Sequence, residues 1–228
     1  MDPLVLLEQA EARGSIPKPL AKKVKGKMAV LVGAVERVER ASGLRYPPYY
    51  VEPTLPYSSS VAEYGQMGLL FARVVPATTT GRVTILVQFT AALLLYGAKG
   101  TVEAVAAHEF THYVDLVRRL SRTNVTSDER SSTLYESSFS DAERTVPPKL
   151  LFSDRALVSL VSRKFKVGLE DKKLNERVGA KWVAKNLPMR TVPPEENVVR
   201  LSMAAVLSTK FDPEVVAKAA EIERKMRS

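Results

Sequence analysis

Apolar residues return every three or four positions along Leu20–Ala41, at Val24, Met28, Leu31, Val35 and Val38. This spacing predicts one long helix with Gly43 as its C-terminal cap. A shorter helix is predicted over Leu4–Ala12, stopped by Gly14. Arg45–Leu55 is rich in Pro and Tyr and reads as extended. Met67–Val75 and Arg82–Phe89 are β-branched and aromatic, and read as strands joined by the turn-like Ala77-Thr78-Thr79-Thr80-Gly81. Leu93–Tyr96 reads as a helical turn ending at Gly97, followed by a strong helix over Val102–Leu120 with Thr101 as N-cap. Asn124–Val146 is polar and open to three readings: surface loop, frayed helix or flap. From Pro147 the pattern is helical throughout, over Leu150–Phe165, Leu169–Asn186, Glu195–Lys210 and Pro213–Arg227, the last entered by Asp212-Pro213.

These elements predict an α+β fold. A small mixed sheet and a His-Glu-x-x-His helix come first, and a mainly helical C-terminal part follows. At 228 residues the chain is expected to form a single domain, with the sheet and that helix in 1–146 and a helical subdomain in 147–228. Arg144-Thr145-Val146-Pro147-Pro148 recurs 46 positions later as Arg190-Thr191-Val192-Pro193-Pro194. Two copies fall short of a repeat array, and a shared way of entering a helix after Pro-Pro accounts for them equally well.

Composition narrows the chemistry. The chain has no cysteine, so disulfides and thiolate metal sites are excluded and any zinc must take nitrogen and oxygen ligands. The longest apolar runs, Met28–Val35 and Phe89–Ala98, are well short of the roughly 20 residues that span a bilayer. A cytoplasmic protein without a membrane span is therefore expected. The formal charge is +9, with lysines clustered at 18, 22, 23, 25 and 27 and again at 164, 166, 172 and 173. Phe165 is the only aromatic residue among these lysines, too little for a base-stacking surface, so nucleic acid ranks behind other partners.

The chain has two histidines, and both fall in Ala107-His108-Glu109-Phe110-Thr111-His112-Tyr113. Four helical residues span about 400°, so His108 and His112 share a face one turn apart and can reach one ion at about 2.0–2.1 Å. Glu109 is turned about 100° from His108, poorly placed as a ligand and well placed as a general base. It falls at the edge of the apolar half formed by Val102, Val105, Ala106, Phe110, Tyr113 and Leu116. A carboxylate there is costly unless paired or metal-linked. The alternative is a pair of ordinary surface histidines. Asp115, one turn past His112, either accepts from an imidazole N–H or pairs with Arg118 or Arg119.

On this motif, with the strand, short turn and helix of Arg82–His112, the chain resembles the zincin metallopeptidases, and within them the gluzincins. The other branches require a third histidine, which this chain lacks. The resemblance implies a zinc hydrolase, a protease acting on peptide or protein substrates. His108 and His112 would hold Zn2+, Glu109 would act as the base, and a glutamate on a later helix would complete the ligand set. Leu174-Asn175-Glu176-Arg177-Val178-Gly179-Ala180 resembles that helix and puts Glu176 first, with Gly179 and Ala180 allowing close approach to the motif helix. Glu136 is the competitor and Glu143 comes third. The family often has an acid near the position of Ala180, so Asp115 is the substitute support for a ligand histidine. Tyr113, Tyr135 and Arg177 are the candidate oxyanion donors. Two other readings stand beside this one: a zinc-binding but silent or latent zincin-like protein, and a basic nucleic acid-binding protein. The pattern says nothing of oligomeric state.

Overall fold

The computed structural model describes residues 2–58, 68–121, 133–136, 145–166, 168–192, 198–201 and 203–227. The fold is α+β, with helices packed around small sheets. Three helices open the chain: α1 (Val5–Ala12), α2 (Lys18–Lys25) and α3 (Met28–Ser42). The single helix predicted over Leu20–Ala41 is thus two. Gly26 closes α2 with its N–H on the Lys22 carbonyl, Lys27 bonds back to Val24, and the chain turns before α3 starts. Glycine inside a helical pattern is a weak point, and here it becomes the break. Gly43 caps α3 as predicted, in the left-handed conformation (φ 70°), with its N–H on the Glu39 carbonyl.

The main sheet has the order β1 (Tyr49–Glu52), β5 (Arg82–Thr90), β4 (Ala72–Thr79). β1 runs parallel to β5, and β4 runs antiparallel to it. β4 and β5 form a hairpin across Thr80-Gly81, both at positive φ (50° and 74°), as a two-residue turn of this twist requires. Val83, Ile85 and Val87 alternate into the core. Pro76 sits in β4, an edge strand, where its missing N–H costs little. In the second sheet β2 (Leu55–Ser58) lies between β3 (Gly68–Leu69), antiparallel, and β7 (Met189–Val192), parallel. A third pairing joins β6 (Thr133–Glu136) to β8 (Val198–Arg200). Only the last two residues of the second Arg-Thr-Val-Pro-Pro copy fall outside the described ones, and its Thr191-Val192 lies in a strand. The first copy leads into α6 (Pro148–Leu151), so the described parts of the two copies differ in structure.

From β5 the chain enters α4 (Ala91–Tyr96), where the Thr90 hydroxyl accepts from the Leu93 N–H. After Gly97 comes α5 (Lys99–Leu120), the motif helix, with Thr101 already inside its first turn. Beyond it, α7 (Arg155–Lys164) and α8 (Lys172–Lys181) replace the two longer helices predicted there. Asp154 and Asp171 cap them, each accepting from the N–H three residues on. Of the helix predicted over Glu195–Lys210, residues 195–197 and 202 lie outside the described ones. Val198–Arg200 form strand β8, and only α9 (Met203–Ser208) is helical. α10 (Pro213–Arg227) starts where Asp212-Pro213 predicts.

α5 lies at the centre, with α3, α7, α10 and β4 packed on it. Every residue from Thr101 to Val117 is buried. The sequence suggests one apolar and one polar face, but both are enclosed, so the polar residues of α5 need partners inside the protein. Two carboxylates supply clamps at its start. Glu103 receives Arg37 of α3 at 2.7 Å, and the same guanidinium binds Asp154 at the head of α7 at 2.8 Å. The Thr101 hydroxyl donates to Asp171 at 2.6 Å, where Lys164 also docks at 2.6 Å. These contacts tie α3, α7 and α8 to the first two turns of α5. Among the described residues no helix is long and apolar enough to cross a membrane.

Candidate metal centre

His108 and His112 project from the middle of α5, 6% and 7% exposed, with Glu109 equally buried at 7%. The His108 imidazole lies face to face with Phe165, ring centroids 3.7 Å apart and planes within 10°. Phe165 follows the last turn of α7 and holds the His108 ring in one orientation. The His112 ring stands perpendicular to it, at 88°. The two Nε2 atoms then meet at 3.1 Å. In one choice of tautomer this is an N–H···N hydrogen bond. Two nitrogens held at about 2.0–2.1 Å by one tetrahedral ion lie roughly 3.3 Å apart, so a small outward rotation makes the pair a chelate. Neutral imidazole nitrogen is a donor that zinc takes readily, and the pair would supply two positions of a tetrahedral set.

The ligand set predicted at Glu176 is not assembled. Leu174 and Val178, one turn apart, take the buried side of α8, and Glu176 stands about 200° from both, on the exposed side. Among the described residues a Cβ at Gly179 would meet nothing within 4 Å, so none of the described helices approaches closely there. α8 meets α5 through Asp171 and Thr101, two turns before His108. Among the described residues no group of three His, Asp or Glu side chains is arranged to hold a metal. Glu136 and Tyr135 lie on β6, and their side chains, like all of Glu143, fall outside the described residues.

Asp115 resolves toward the second of its two readings. Arg118 reaches one oxygen at 2.7 Å and Arg119 the other at 3.0 Å, so two guanidinium groups neutralise it. Tyr113 turns into the core against Phe110, centroids 5.7 Å apart. Burial, with the Asp212 carboxylate nearby, pushes its hydroxyl up to about 12. Arg177 donates to the Tyr96 carbonyl at 3.2 Å, at the junction of α4 and α8.

Two residues that sequence reasoning missed belong to the surroundings of the histidine pair. Phe165 is one, carried in from α7 by tertiary packing that no local pattern signals. Tyr46 is the other. It stacks on Phe110 at 5.3 Å and donates to the Ala106 carbonyl at 2.8 Å. Burial drives its hydroxyl pKa well above the ordinary value, and the Glu109 carboxylate adds to the rise. Tyr46 thus braces α5 beside Glu109 as a neutral donor. A cavity of about 180 Å3 opens beside His108, with Pro148, Val161 and Phe165 on its apolar side and Thr145, Ser162 and Lys166 supplying polar groups. Compared with protein-family models, with curated proteins and with solved structures, the chain has no match.

Proposed function

We propose that this chain is a zinc-dependent metallopeptidase whose metal is held by His108 and His112. The observation that carries this reading is the 3.1 Å approach of the two Nε2 atoms on a helix enclosed on all sides. Two buried imidazoles aimed at one point, one turn apart, present the nitrogen pair that a shared ion would use. With Glu176 on the outer side of α8, Glu136 becomes the leading candidate for the third ligand. A bound zinc would supply Lewis-acid polarisation of a substrate carbonyl and of water. Glu109, adjacent to His108 and buried, receives the proton of the attacking water and returns it to the departing amine. The cavity beside His108 is the route by which a peptide side chain reaches the pair.

One observation favours a second reading. The exposures of 6–7% at His108, Glu109 and His112 also suit a metal that staples α5 to its neighbours, in a silent or latent protein. Metal analysis and a Glu109→Gln variant separate the two. The peptidase reading expects about one zinc per chain in both proteins. It also expects cleavage of a fluorogenic peptide mixture to fall at least about 100-fold in the variant, the scale of a lost general base. Zinc retained by a wild-type chain that cleaves nothing selects the stapling role. Undiminished cleavage by Glu109→Gln removes the proposed base, and failure to take up zinc removes both readings.

A further inference from the structure

A second cavity, of about 530 Å3, is lined by residues from α2, the end of α4 and the end of α8. Its volume falls within the roughly 300–1,000 Å3 common for small-molecule sites. One wall is α2, where Leu20 and Lys23, three residues apart, share a face. The floor is Leu95 and Tyr96, the last two residues of α4. The far wall carries Lys181, the last residue of α8, then Lys185 and Leu187. A 3-10 turn over Val183–Lys185 and Asn186 in the left-handed region (φ 51°) place that wall. The Leu187 N–H bonds back to the Trp182 carbonyl, and Trp182, fully buried, donates its indole N–H to the Pro188 carbonyl. The wall is therefore anchored to the core.

Charge is the informative feature. The lining holds three lysines and no acidic residue. Lys25, two residues past Lys23, is satisfied by Glu8 and Glu11 at 3.3 and 3.1 Å. Among the described residues Lys23, Lys181 and Lys185 have no such carboxylate. Three ammonium groups around one concavity repel one another, and an apolar floor beneath them is exposed to water at a further cost. An occupant that offers an apolar body to Leu20, Leu95, Tyr96 and Leu187 and a negative head to the lysines relieves both.

We propose that this groove binds an amphiphilic anion, a small molecule with an aliphatic or aromatic body and a single carboxylate or phosphate head. The lysines on two facing walls give the head a choice of partners, and the leucines and Tyr96 take the tail. The site is separate from the histidine pair and does not depend on a metal.

Calorimetric titration of the full chain with decanoate, decyl phosphate, decanol and acetate tests this. Decanoate or decyl phosphate is expected to bind one per chain, at least about tenfold tighter than decanol (tail without charge) and acetate (charge without tail). Which head binds more tightly distinguishes carboxylate from phosphate. Reversing the far wall with Lys181→Glu and Lys185→Glu together is expected to weaken that binding at least tenfold. Lys149→Glu, an exposed reversal on α6, leaves it unchanged. The variants alter exposed side chains, and circular dichroism checks that they fold. Equal binding of decanol and decanoate, binding indifferent to the Lys181/Lys185 reversal, or no binding by either anion overturns the proposal. So does tight binding of an oligonucleotide that the reversal abolishes while neither amphiphile binds.

Discussion

Asp171 joins three helices through one carboxylate, and its removal has a cost that the contacts allow to be worked out. The side chain caps α8 through the Leu174 N–H at 3.0 Å, accepts the Thr101 hydroxyl at 2.6 Å and holds Lys164 at 2.6 Å. In Asp171→Ala the lost cap costs about 1 kcal/mol. The Thr101 hydroxyl, 1% exposed, is left without its acceptor, at about 1–3 kcal/mol. Lys164 is partly exposed and can turn to water, so its share is about 0–1 kcal/mol. The total is about 2–5 kcal/mol, which for a chain of this length lowers Tm by roughly 4–20 °C. Asp171→Asn keeps a cap and is expected to lose about half as much. Burial alone would raise the Asp171 carboxyl pKa, but Lys164, Thr101 and the Leu174 N–H outweigh it and hold the group below its ordinary value. A depressed carboxylate stabilises the fold above its unfolded-state pKa and loses that contribution as pH falls through the folded value. The gap between wild type and Asp171→Asn should therefore be constant near neutrality and close below about pH 4. Urea unfolding followed by circular dichroism, at pH 7 and stepwise to pH 3, measures both. A loss under about 0.5 kcal/mol in Asp171→Ala refutes the three-helix clamp. So does the absence of coupling with Thr101→Val in a double-mutant cycle.

If Glu136 supplies the third ligand, Glu136→Ala should release zinc under mild chelation while Glu176→Ala retains it, and metal analysis after dialysis reads the difference. Zinc loss from Glu176→Ala alone would reverse this ranking. Gly97→Ala should destabilise by about 2 kcal/mol or more, because the new Cβ would stand 2.6 Å from the Leu93 carbonyl oxygen, part of the backbone of α4. A denaturation midpoint equal to wild type would contradict that geometry. Thr80→Asn should stabilise by about 0.5–1 kcal/mol, because a β-branched residue is strained at φ 50° and asparagine tolerates the first position of this turn. Thermal unfolding of the variant checks the sign.

Local features of this fold were legible in the sequence wherever local chemistry decides them. The β4–β5 hairpin is legible in its β-branched runs and Gly81, but Ala77–Thr79, read as turn, belong to β4, and the strand predicted over Met67–Val75 is divided between β3 and β4 in two sheets. The Gly43 cap and the start of α10 at Pro213 follow from the residues at those positions. What failed depended on distant partners. Val198–Arg200 carry helical company in sequence, yet pair with Thr133–Glu136 in space. The enclosure of both faces of α5 comes from α3, α7 and α10, which no window around Val102–Leu120 contains. The same division runs through the candidate site. The spacing of His108 and His112 is helical arithmetic, and it held. Glu176 was chosen for its surrounding pattern, but the Leu174–Val178 stripe that docks α8 turns that glutamate outward. Phe165 meets His108 because α7 is held against α5, at its start through Asp154, Arg37 and Glu103 and at its end through Lys164, Asp171 and Thr101.

The parallel register of Leu55–Ser58 on Met189–Val192 has a consequence for how the molecule is made. The later strand is synthesised 134 positions after the earlier one. At about 5–20 residues per second, the ribosome leaves one side of Leu55–Ser58 without its hydrogen-bonding neighbour for roughly 7–27 s. During that interval the nascent chain presents an open β-edge, the kind of surface that recruits other chains. A fragment ending before Met189 keeps that edge permanently. Truncations from the C-terminus are therefore expected to aggregate, and adding back the missing segment as a separate peptide should restore solubility.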